Sequence, residues 1–204
     1  MYKHYVSYTQ RCLVQAKDQP KLKCRRSDSG LWDTALDHRV LRCLLRAGFY
    51  GVYRIGHIRL DHHLVTTLVE RWRIETRTFH FPVGESTVTL QDVAILFGLP
   101  VDGHAVTGKD PEKKLDDLIA LCVELLGAAP TQEDFIGSSL KLKWISEHFR
   151  HLPHDASDET VHHYARAYIL WLIVGVLVPD KSQNIVKMMF LPLLRDFDRI
   201  QEYS

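Results

Sequence analysis

The feature of this sequence that most constrains its fold is a long apolar segment over residues 158–178. From Tyr168 onward the segment is apolar on nearly all sides of a helix, as expected for a helix wrapped by other helices. Its most apolar part, residues 164–178, includes Arg166 and is shorter than the roughly 20 residues that a membrane span requires. The segment therefore predicts a central apolar helix near 158–178, buried in a helical domain and not in a membrane.

The segments before this helix show the spacing of amphipathic helices. Asp33 is a candidate N-cap for a first helix, and Gly48 suits the left-handed position that follows its last residue. Asp61 is a candidate N-cap for a second helix. Two later segments have apolar residues at helical spacing: Leu115, Leu118, Ile119, Cys122, Leu125 and Leu126, and then Leu140, Trp144, Ile145 and Phe149.

Two shorter segments are less regular. Residues 131–137 favour a short helical turn, and residues 185–191 form an apolar run that fits either a strand or a helix. Pro192 suits the first turn of a helix that continues through Phe197. The N–H groups of a first turn have no partner within the helix, so the N–H that proline lacks costs the helix no hydrogen bond.

A β-hairpin is predicted in the middle of the chain. Residues 76–81 contain alternating β-branched and aromatic side chains, residues 82–85 are typical of a turn, and residues 86–88 form the returning strand. A helix follows, with Thr89 and Asp92 in the positions of a capping box, and it should end at Gly98. We therefore expect a mainly α-helical, compact multi-helix domain with one small β-hairpin near 76–88.

The helix after the hairpin permits a second interpretation, a helix-turn-helix that contacts DNA. Ala94 in the first helix and Gly98 at the turn occupy the positions that such a motif requires. The second half opposes this interpretation, because Pro100, Gly103 and Gly108 disfavour a recognition helix. It also has no Arg, Asn or Gln to contact base edges. A short core helix after a hairpin is therefore the favoured interpretation.

Charge is distributed unevenly along the chain. Residues 1–30 contain seven Lys or Arg and two Asp, a net +5, which leaves −4 on the remainder of a chain with a net charge of +1. We predict that residues 1–30 form a basic, poorly ordered arm and that residues 31–204 form the folded domain. Within the arm, Lys21, Lys23, Arg25 and Arg26 are candidate contacts for nucleic acid or for nuclear import. The alternative, a solvated chain terminus without a function, is favoured for a segment of this kind.

The sequence offers no pattern of catalytic, cofactor-binding or metal-ligating residues. The four cysteines form no CxxC pair, and no secretory signal is present, so reduced thiols inside the cell are expected. His148, His151 and His154 are evenly spaced, but Pro153 breaks the helix that would align them for a metal. GxSxG, GxxxxGK[ST] and GxGxxG are all absent from the sequence. We therefore predict no enzyme activity, no cofactor and no small-molecule substrate.

Two charged clusters are better explained by structure than by chemistry. In the sequence LRDFDR, residues 194–199, the charges suit a salt-bridged helix surface with Phe197 inserted into the core. Arg71, Arg73 and Arg77 surround Trp72, an arrangement that can stack on nucleic-acid bases. The favoured interpretation is that Trp72 fills the core while the arginines neutralise a helix C-terminus.

Several ordered motifs give the chain a specific resemblance. These are LVERWRIETRTFHFPVGESTVTLQDVAILFGLPVDG, YARAYIL, PDKSQN and LPLLRDFDR, within a match that covers roughly residues 31–204. They resemble the plant mobile domain family, which occurs in maintenance-of-meristems-like proteins, in plant transposable elements and in long-form relatives of a plant serine/threonine phosphatase. The label "aminotransferase-like" attached to some relatives has no support here, because the chain lacks a recognisable cofactor-lysine context. The phosphatase metal motifs GDxHG, GDxxDRG and GNHE are also missing.

The resemblance implies a mostly helical domain in a nuclear protein linked to meristem maintenance, gene expression, transposon silencing and genome integrity. It implies a protein partner in the nucleus, with nucleic acid as a further possible partner. The first thirty residues depart from the family pattern. Family domains also continue past the sequence EYS with a tryptophan and an apolar helix, so we expect a copy shortened at its C-terminus, with several hundred Å² of apolar surface exposed.

Overall fold

The computed structural model describes residues 30–33, 35–106, 114–178 and 184–203 of the 204-residue chain. The described residues fall into two compact units. The smaller unit contains Ile58–Thr89, and the larger contains the described parts of residues 26–57 and 90–204. Helices predominate and the strands are short, so the prediction of a mainly α-helical protein is confirmed.

The helices and strands are numbered in chain order. The helices are α1 (His38–Arg46), α2 (Tyr50–Ile55), α3 (His62–Arg71), α4 (Leu90–Phe97), α5 (Leu115–Leu126), α6 (Leu142–His148) and α7 (Asp158–Leu172). The strands are β1 (Trp72–Arg73), β2 (Thr78–Phe81), β3 (Gly84–Ser86), β4 (Phe135–Ile136), β5 (Ser139–Lys141) and β6 (Ile185–Lys187). Short 3₁₀ helices cover Gln132–Asp134, Met188–Leu194 and Ile200–Glu202.

The core of the larger unit is built around α7, which packs against α1, α5 and α6. From Ala167 to Leu172 every residue of α7 is buried, which confirms the predicted central helix. The helix continues as a π-helical segment, Ile173–Leu177, at whose end the N–H of Val178 donates to the carbonyl of Ile173 (2.7 Å). Among the described helices, none is both long enough and apolar enough to cross a membrane.

The boundaries of α1 follow from local chemistry. The carboxylate of Asp37 accepts a hydrogen bond from the N–H of Arg39 (2.8 Å), so Asp37 is the N-cap. The prediction of Asp33 as the cap is therefore wrong, because α1 begins only at His38. At the other end Gly48 has φ +78° and, as predicted, occupies the left-handed position after the helix.

A second three-stranded sheet was not predicted from the sequence. Strands β4, β5 and β6 pair antiparallel in that order, with Leu140 opposite both Phe135 and Val186. Each strand has only two or three residues, too few for an alternating pattern to stand out. The predicted helix starting at Pro192 is also wrong, since Pro192 lies inside the 3₁₀ helix Met188–Leu194 and Phe197 lies beyond it.

The described part of the smaller unit contains α3 and the sheet β1–β2–β3. Asp61 caps α3 as predicted, accepting hydrogen bonds from the N–H groups of His63 and Leu64. The predicted hairpin is confirmed, but its returning strand covers Gly84–Ser86 and not residues 86–88, because Phe81 pairs with Gly84 across a two-residue loop. Strand β1, which completes the sheet, was not predicted. No residue of Ile58–Thr89 is buried. Trp72 is 36% exposed and contacts Phe79 edge to face (4.8 Å between ring centres), so the prediction that it fills a core is wrong.

Candidate interaction groove

An apolar groove with a volume of about 420 Å³ opens on the surface of the larger unit. Its walls come from α4 and the extended segment after it, from the π-helical segment Ile173–Leu177 and from the two C-terminal 3₁₀ helices. Its lining includes Leu90, Val93, Leu99, Val101, Val106, Ile173, Leu177, Phe190, Leu194 and Tyr203. We call this feature the apolar groove.

Two glycines, Gly98 and Gly103, bring the wall of the groove close to the C-terminal segment. Both lie in the region for which a helix-turn-helix was the alternative interpretation. Gly98 has φ +67° and ends α4, as predicted. A Cβ on Gly103 would lie 2.6 Å from the carbonyl oxygen of Glu202, so only glycine permits this approach. There the N–H of His104 donates to the Glu202 carbonyl (2.6 Å), and His104 pairs in parallel with Tyr203.

This pairing decides between the two interpretations of the region. Residues 99–106 contain no helix, so the recognition helix of a DNA-binding motif does not form there. Pro100 and Gly103, which opposed that helix in the sequence, instead belong to an extended wall of the groove and its margin. A short helix does follow the hairpin, as the favoured interpretation predicts, but no residue of α4 is buried, so the prediction that it is a core helix is wrong.

Irregular helices are concentrated around the apolar groove. The π-helical segment Ile173–Leu177 contributes Ile173 and Leu177, and the seven-residue 3₁₀ helix Met188–Leu194 contributes Phe190 and Leu194. A 3₁₀ helix longer than about four residues is uncommon, and π-helical segments occur frequently at functional sites. The backbone around the groove therefore departs from the ideal α-helical geometry of α7.

Few polar groups face the groove. The amide of Gln201 donates to the backbone carbonyl of Arg46 (2.6 Å), so this donor is already engaged. The groove thus favours apolar contact over polar recognition. A polar cleft adjoins it, since Pro100 and Gln201 line both, and this cleft contains Asp102, His104 and Glu202.

Arg166 of α7 anchors the C-terminal segment that forms part of the groove. Its guanidinium donates to the carbonyls of Leu125 (3.1 Å), Leu194 (2.9 Å) and Arg195 (3.1 Å). It also lies over the ring of Phe197 (5.2 Å to the centre). Desolvation lowers the pKa of this guanidinium. A cation placed on the carbonyl of Leu125 also stabilises the C-terminal end of α5.

The prediction for the sequence LRDFDR is confirmed for Phe197 and for the ion pairs, but residues 195–199 form no helix. Phe197 is buried in the core, while Asp198 pairs with Arg46 (2.7 Å) and Arg195 pairs with Glu124 at the surface. Asp196 accepts a hydrogen bond from the N–H of Asp198 (3.0 Å), so both aspartates of this motif have structural contacts. Hydrogen bonding from Arg46 lowers the pKa of Asp198.

The other residues singled out in the sequence do not converge on one site. Lys21, Lys23, Arg25 and Arg26 lie outside the described residues. In the part of the chain that the structure describes, no three His, Cys, Asp or Glu side chains are grouped so that they could hold a metal ion. His148 instead stacks on Trp144 (4.5 Å), and its Nδ1 lies 2.9 Å from the Trp144 carbonyl oxygen.

The two cysteines of the larger unit's core are unsuited to nucleophilic chemistry. Cys43 and Cys122 are buried and form no disulfide. Burial raises the pKa of Cys43 and raises that of Cys122 to about 12. A thiol with such a pKa stays protonated near neutral pH and is a poor nucleophile.

The sequence profile of the plant mobile domain matches residues 48–204. The chain belongs to the plant mobile domain family. The matched region contains nearly all the residues that line the apolar groove and the described part of the smaller unit, Ile58–Thr89. The plant mobile domain therefore includes all the elements that form the candidate site, apart from Ala47 at its edge.

Plant mobile domain relatives come from Arabidopsis thaliana. The chain is 49% identical, over 90% of its length, to Serine/threonine-protein phosphatase 7 long form homolog, and it covers 13% of that protein. It is 40% identical to Protein MAIN-LIKE 2 over 89% of its length, covering 27% of that protein. It is 32% identical to Protein MAINTENANCE OF MERISTEMS over 94% of its length, covering 40% of that protein. No solved structure matches the chain.

Two facts follow from these alignments. The chain spans at most about two fifths of the length of these three relatives. An alignment that covers 94% of the chain extends into the first thirty residues, whereas the family profile begins at residue 48.

The apolar groove was not predicted from the sequence, although one signal pointed to it. Helix α4, with the sequence LQDVAILF, has apolar residues on more than one face. Leu90, Ile95 and Leu96 are more than 60% exposed. Such a short helix with apolar residues on two sides indicates a second contact surface besides the one facing the core.

Proposed function

We propose that this chain is a non-enzymatic interaction module that acts in the nucleus by binding a protein partner. The observation that carries the proposal is the apolar groove, whose walls provide contact area without converging polar groups. A catalytic pocket combines an apolar lining with a few precisely placed polar or charged groups. In this groove the Gln201 amide is already bonded to the Arg46 carbonyl, so it is a poor candidate for such a group.

The biological setting of the proposal comes from the family. Proteins named MAINTENANCE OF MERISTEMS and MAIN-LIKE 2 share the domain, which supports a role in meristem maintenance. We extend the proposal to transposon silencing and genome integrity, the processes that the resemblance implies. A phosphatase activity is not proposed, because the chain covers only 13% of the phosphatase-named relative.

The proposal is tested by comparing the nuclear proteins captured by three forms of the chain. Val106 lines the groove and is 39% exposed, so Val106→Asp places a charge in the groove at little cost to the core. Val123 on α5 is 49% exposed outside the groove, and Val123→Asp is the matched control. We expect wild type and Val123→Asp to capture the same proteins from plant nuclear extract, measured by quantitative mass spectrometry, and Val106→Asp to lose them. Equal capture by all three forms contradicts the proposal.

Nuclear localisation is tested separately with a large fluorescent fusion in plant cells. We expect fluorescence in the nucleus, reduced when Lys21, Lys23, Arg25 and Arg26 are all replaced by Ala. Uniform cytoplasmic fluorescence of the wild-type fusion would overturn this part of the proposal.

A second candidate function rests on the net +5 of residues 1–30. In this alternative the chain is a nucleic-acid-binding module, derived from a transposable element, that uses its basic arm. Binding through phosphates predicts that the affinity for labelled DNA or RNA falls steeply with salt. In the variant with all four basic residues replaced by Ala, the plot of log affinity against log salt concentration should be less steep. Its slope should fall by up to about 0.9 for each lost contact with a phosphate of duplex DNA. Absence of binding at low salt removes this candidate.

A further inference from the structure

We propose that the apolar groove binds an amphipathic helix of a partner protein, with a basic side chain directed at Asp102 and Glu202. The inference rests on the proposed function as an interaction module and specifies the chemistry of the partner.

The apolar surface extends beyond the cavity itself. At its rim, Leu90 is 68% exposed and Val178 is 56% exposed. A small molecule confined to a cavity of about 420 Å³ would leave these rim side chains in water. A helix laid along the groove inserts apolar side chains into the cavity and covers the rim as well, which is the usual mode of helix-in-groove recognition.

The charge next to the groove favours a basic partner. The adjoining polar cleft shares Pro100 and Gln201 with the groove and contains the carboxylates of Asp102 and Glu202. Asp102 is exposed, and Glu202 is paired to Arg199 at 3.4 Å, a long and exposed contact. The chain after residue 30 has a net charge of −4. A Lys or Arg at one end of the bound helix would complement these carboxylates and fix its direction.

The walls of the groove are suited to adjust to a partner. They include the π-helical segment Ile173–Leu177 and the 3₁₀ helix Met188–Leu194, whose hydrogen-bond geometry is less favourable than that of an α-helix. Changes of side-chain rotamer at interfaces are common when proteins bind. The groove therefore has both the apolar lining and the backbone expected of a binding site.

The test uses the full chain and two synthetic peptides in fluorescence anisotropy at low salt. Both are Ala-based helices with Leu at positions i, i+4, i+7 and i+11. One carries Lys at the end expected to face Asp102, and the other carries Glu there. We expect the Lys peptide to bind about 5–10-fold more tightly than the Glu peptide, with the difference reduced at high salt. Val106→Asp should weaken both by at least about tenfold, and Val123→Asp should change neither.

The charge of Asp102 supplies a test that does not depend on the core. Asp102→Lys is an exposed substitution, and it should reverse the preference so that the Glu peptide binds more tightly. Circular dichroism confirms that each variant is folded. If the wild type binds neither peptide, or if Asp102→Lys leaves the preference unchanged, the proposal is overturned. Uptake of a small apolar dye without peptide binding also overturns it, in favour of a small-ligand site.

The two proposals fail in different ways. If nuclear proteins are captured in a manner that depends on Val106 while neither peptide binds, the interaction module stands and the amphipathic-helix inference is wrong. If Val106→Asp affects neither measurement, both are wrong.

Discussion

Gly51 on α2 lies directly against the backbone carbonyl of Phe97, the last residue of α4. A Cβ at position 51 would overlap that oxygen and would stand 3.3 Å from the Cα of Gly98. The contact fixes the position of α4, whose residues Leu90 and Val93 line the apolar groove.

Gly51→Ala should therefore destabilise the protein, although the residue lies in a helix where alanine is normally preferred. Without a clash the change would stabilise by about 0.5–1 kcal/mol, whereas overpacking costs about 1–3 kcal/mol. Urea unfolding followed by circular dichroism measures the difference. Arg54→Ala, at an exposed position of the same helix, is the control and should change stability little. A Gly51→Ala protein more stable than wild type would mean that α2 and α4 are not in close contact.

Replacement of Arg166 by Met should cost about 2–4 kcal/mol of unfolding free energy, because three backbone carbonyls lose their donor. The comparison is Arg195→Met, which removes only the surface pair with Glu124, worth about 0–1 kcal/mol. Chemical denaturation of both variants gives the two values. If they are equal, the carbonyl contacts of Arg166 contribute nothing beyond an ordinary surface charge.

Asp37 should make the stability of α1 depend on pH in the acid range. The guanidinium and N–H of Arg39 donate to its carboxylate and hold the pKa of Asp37 down at about 2. A depressed carboxylate pKa stabilises the fold above the unfolded value, near 4, and this contribution is lost as pH falls from about 4 towards 2. The difference in urea midpoint between wild type and Asp37→Asn should therefore shrink over that interval. Asp155→Asn, at an exposed aspartate, controls for the general effect of acid on stability. A difference in urea midpoint between wild type and Asp37→Asn that stays constant from about pH 4 to 2 would contradict the expectation.

Cys43 and Cys122 should react with iodoacetamide only after unfolding. Both thiols are buried, and burial raises the pKa of Cys122 to about 12. Little thiolate is therefore present at a mildly alkaline pH. Alkylation followed by peptide mapping reports each cysteine separately, with the same reaction in denaturant as the positive control. Rapid labelling of Cys122 in native protein would show that the core around α5 opens readily.

Local signals predicted many elements well. Asp61 and Gly98 mark the start of α3 and the end of α4, because capping and left-handed glycine positions depend on a few neighbouring residues. The error at Asp33 has a related cause: Asp37 lies four residues later and forms the cap with Arg39. Sequence spacing alone did not distinguish between two aspartates near the start of the same helix.

Elements that depend on distant partners were predicted poorly. Strand β6 pairs with β5 although more than forty residues separate them, and each strand is too short to show a pattern. The role of Gly103 depends on the carbonyl of Glu202, which lies almost a hundred residues further along the chain. Such contacts leave no local signal, so Gly103 was interpreted only as a residue that opposes a helix.

The sequence by itself determined the family and the mainly helical class. Ordered motifs and helical spacing are local properties, so they can be recognised without knowing which segments contact one another. Only the tertiary structure decided that residues 99–106 form an extended segment and not a recognition helix, and that this segment and the C-terminal 3₁₀ helices together line an apolar groove. The physical reason is that the groove exists only where α4, the end of α7 and the C-terminal segment are brought together by burial of the core around them.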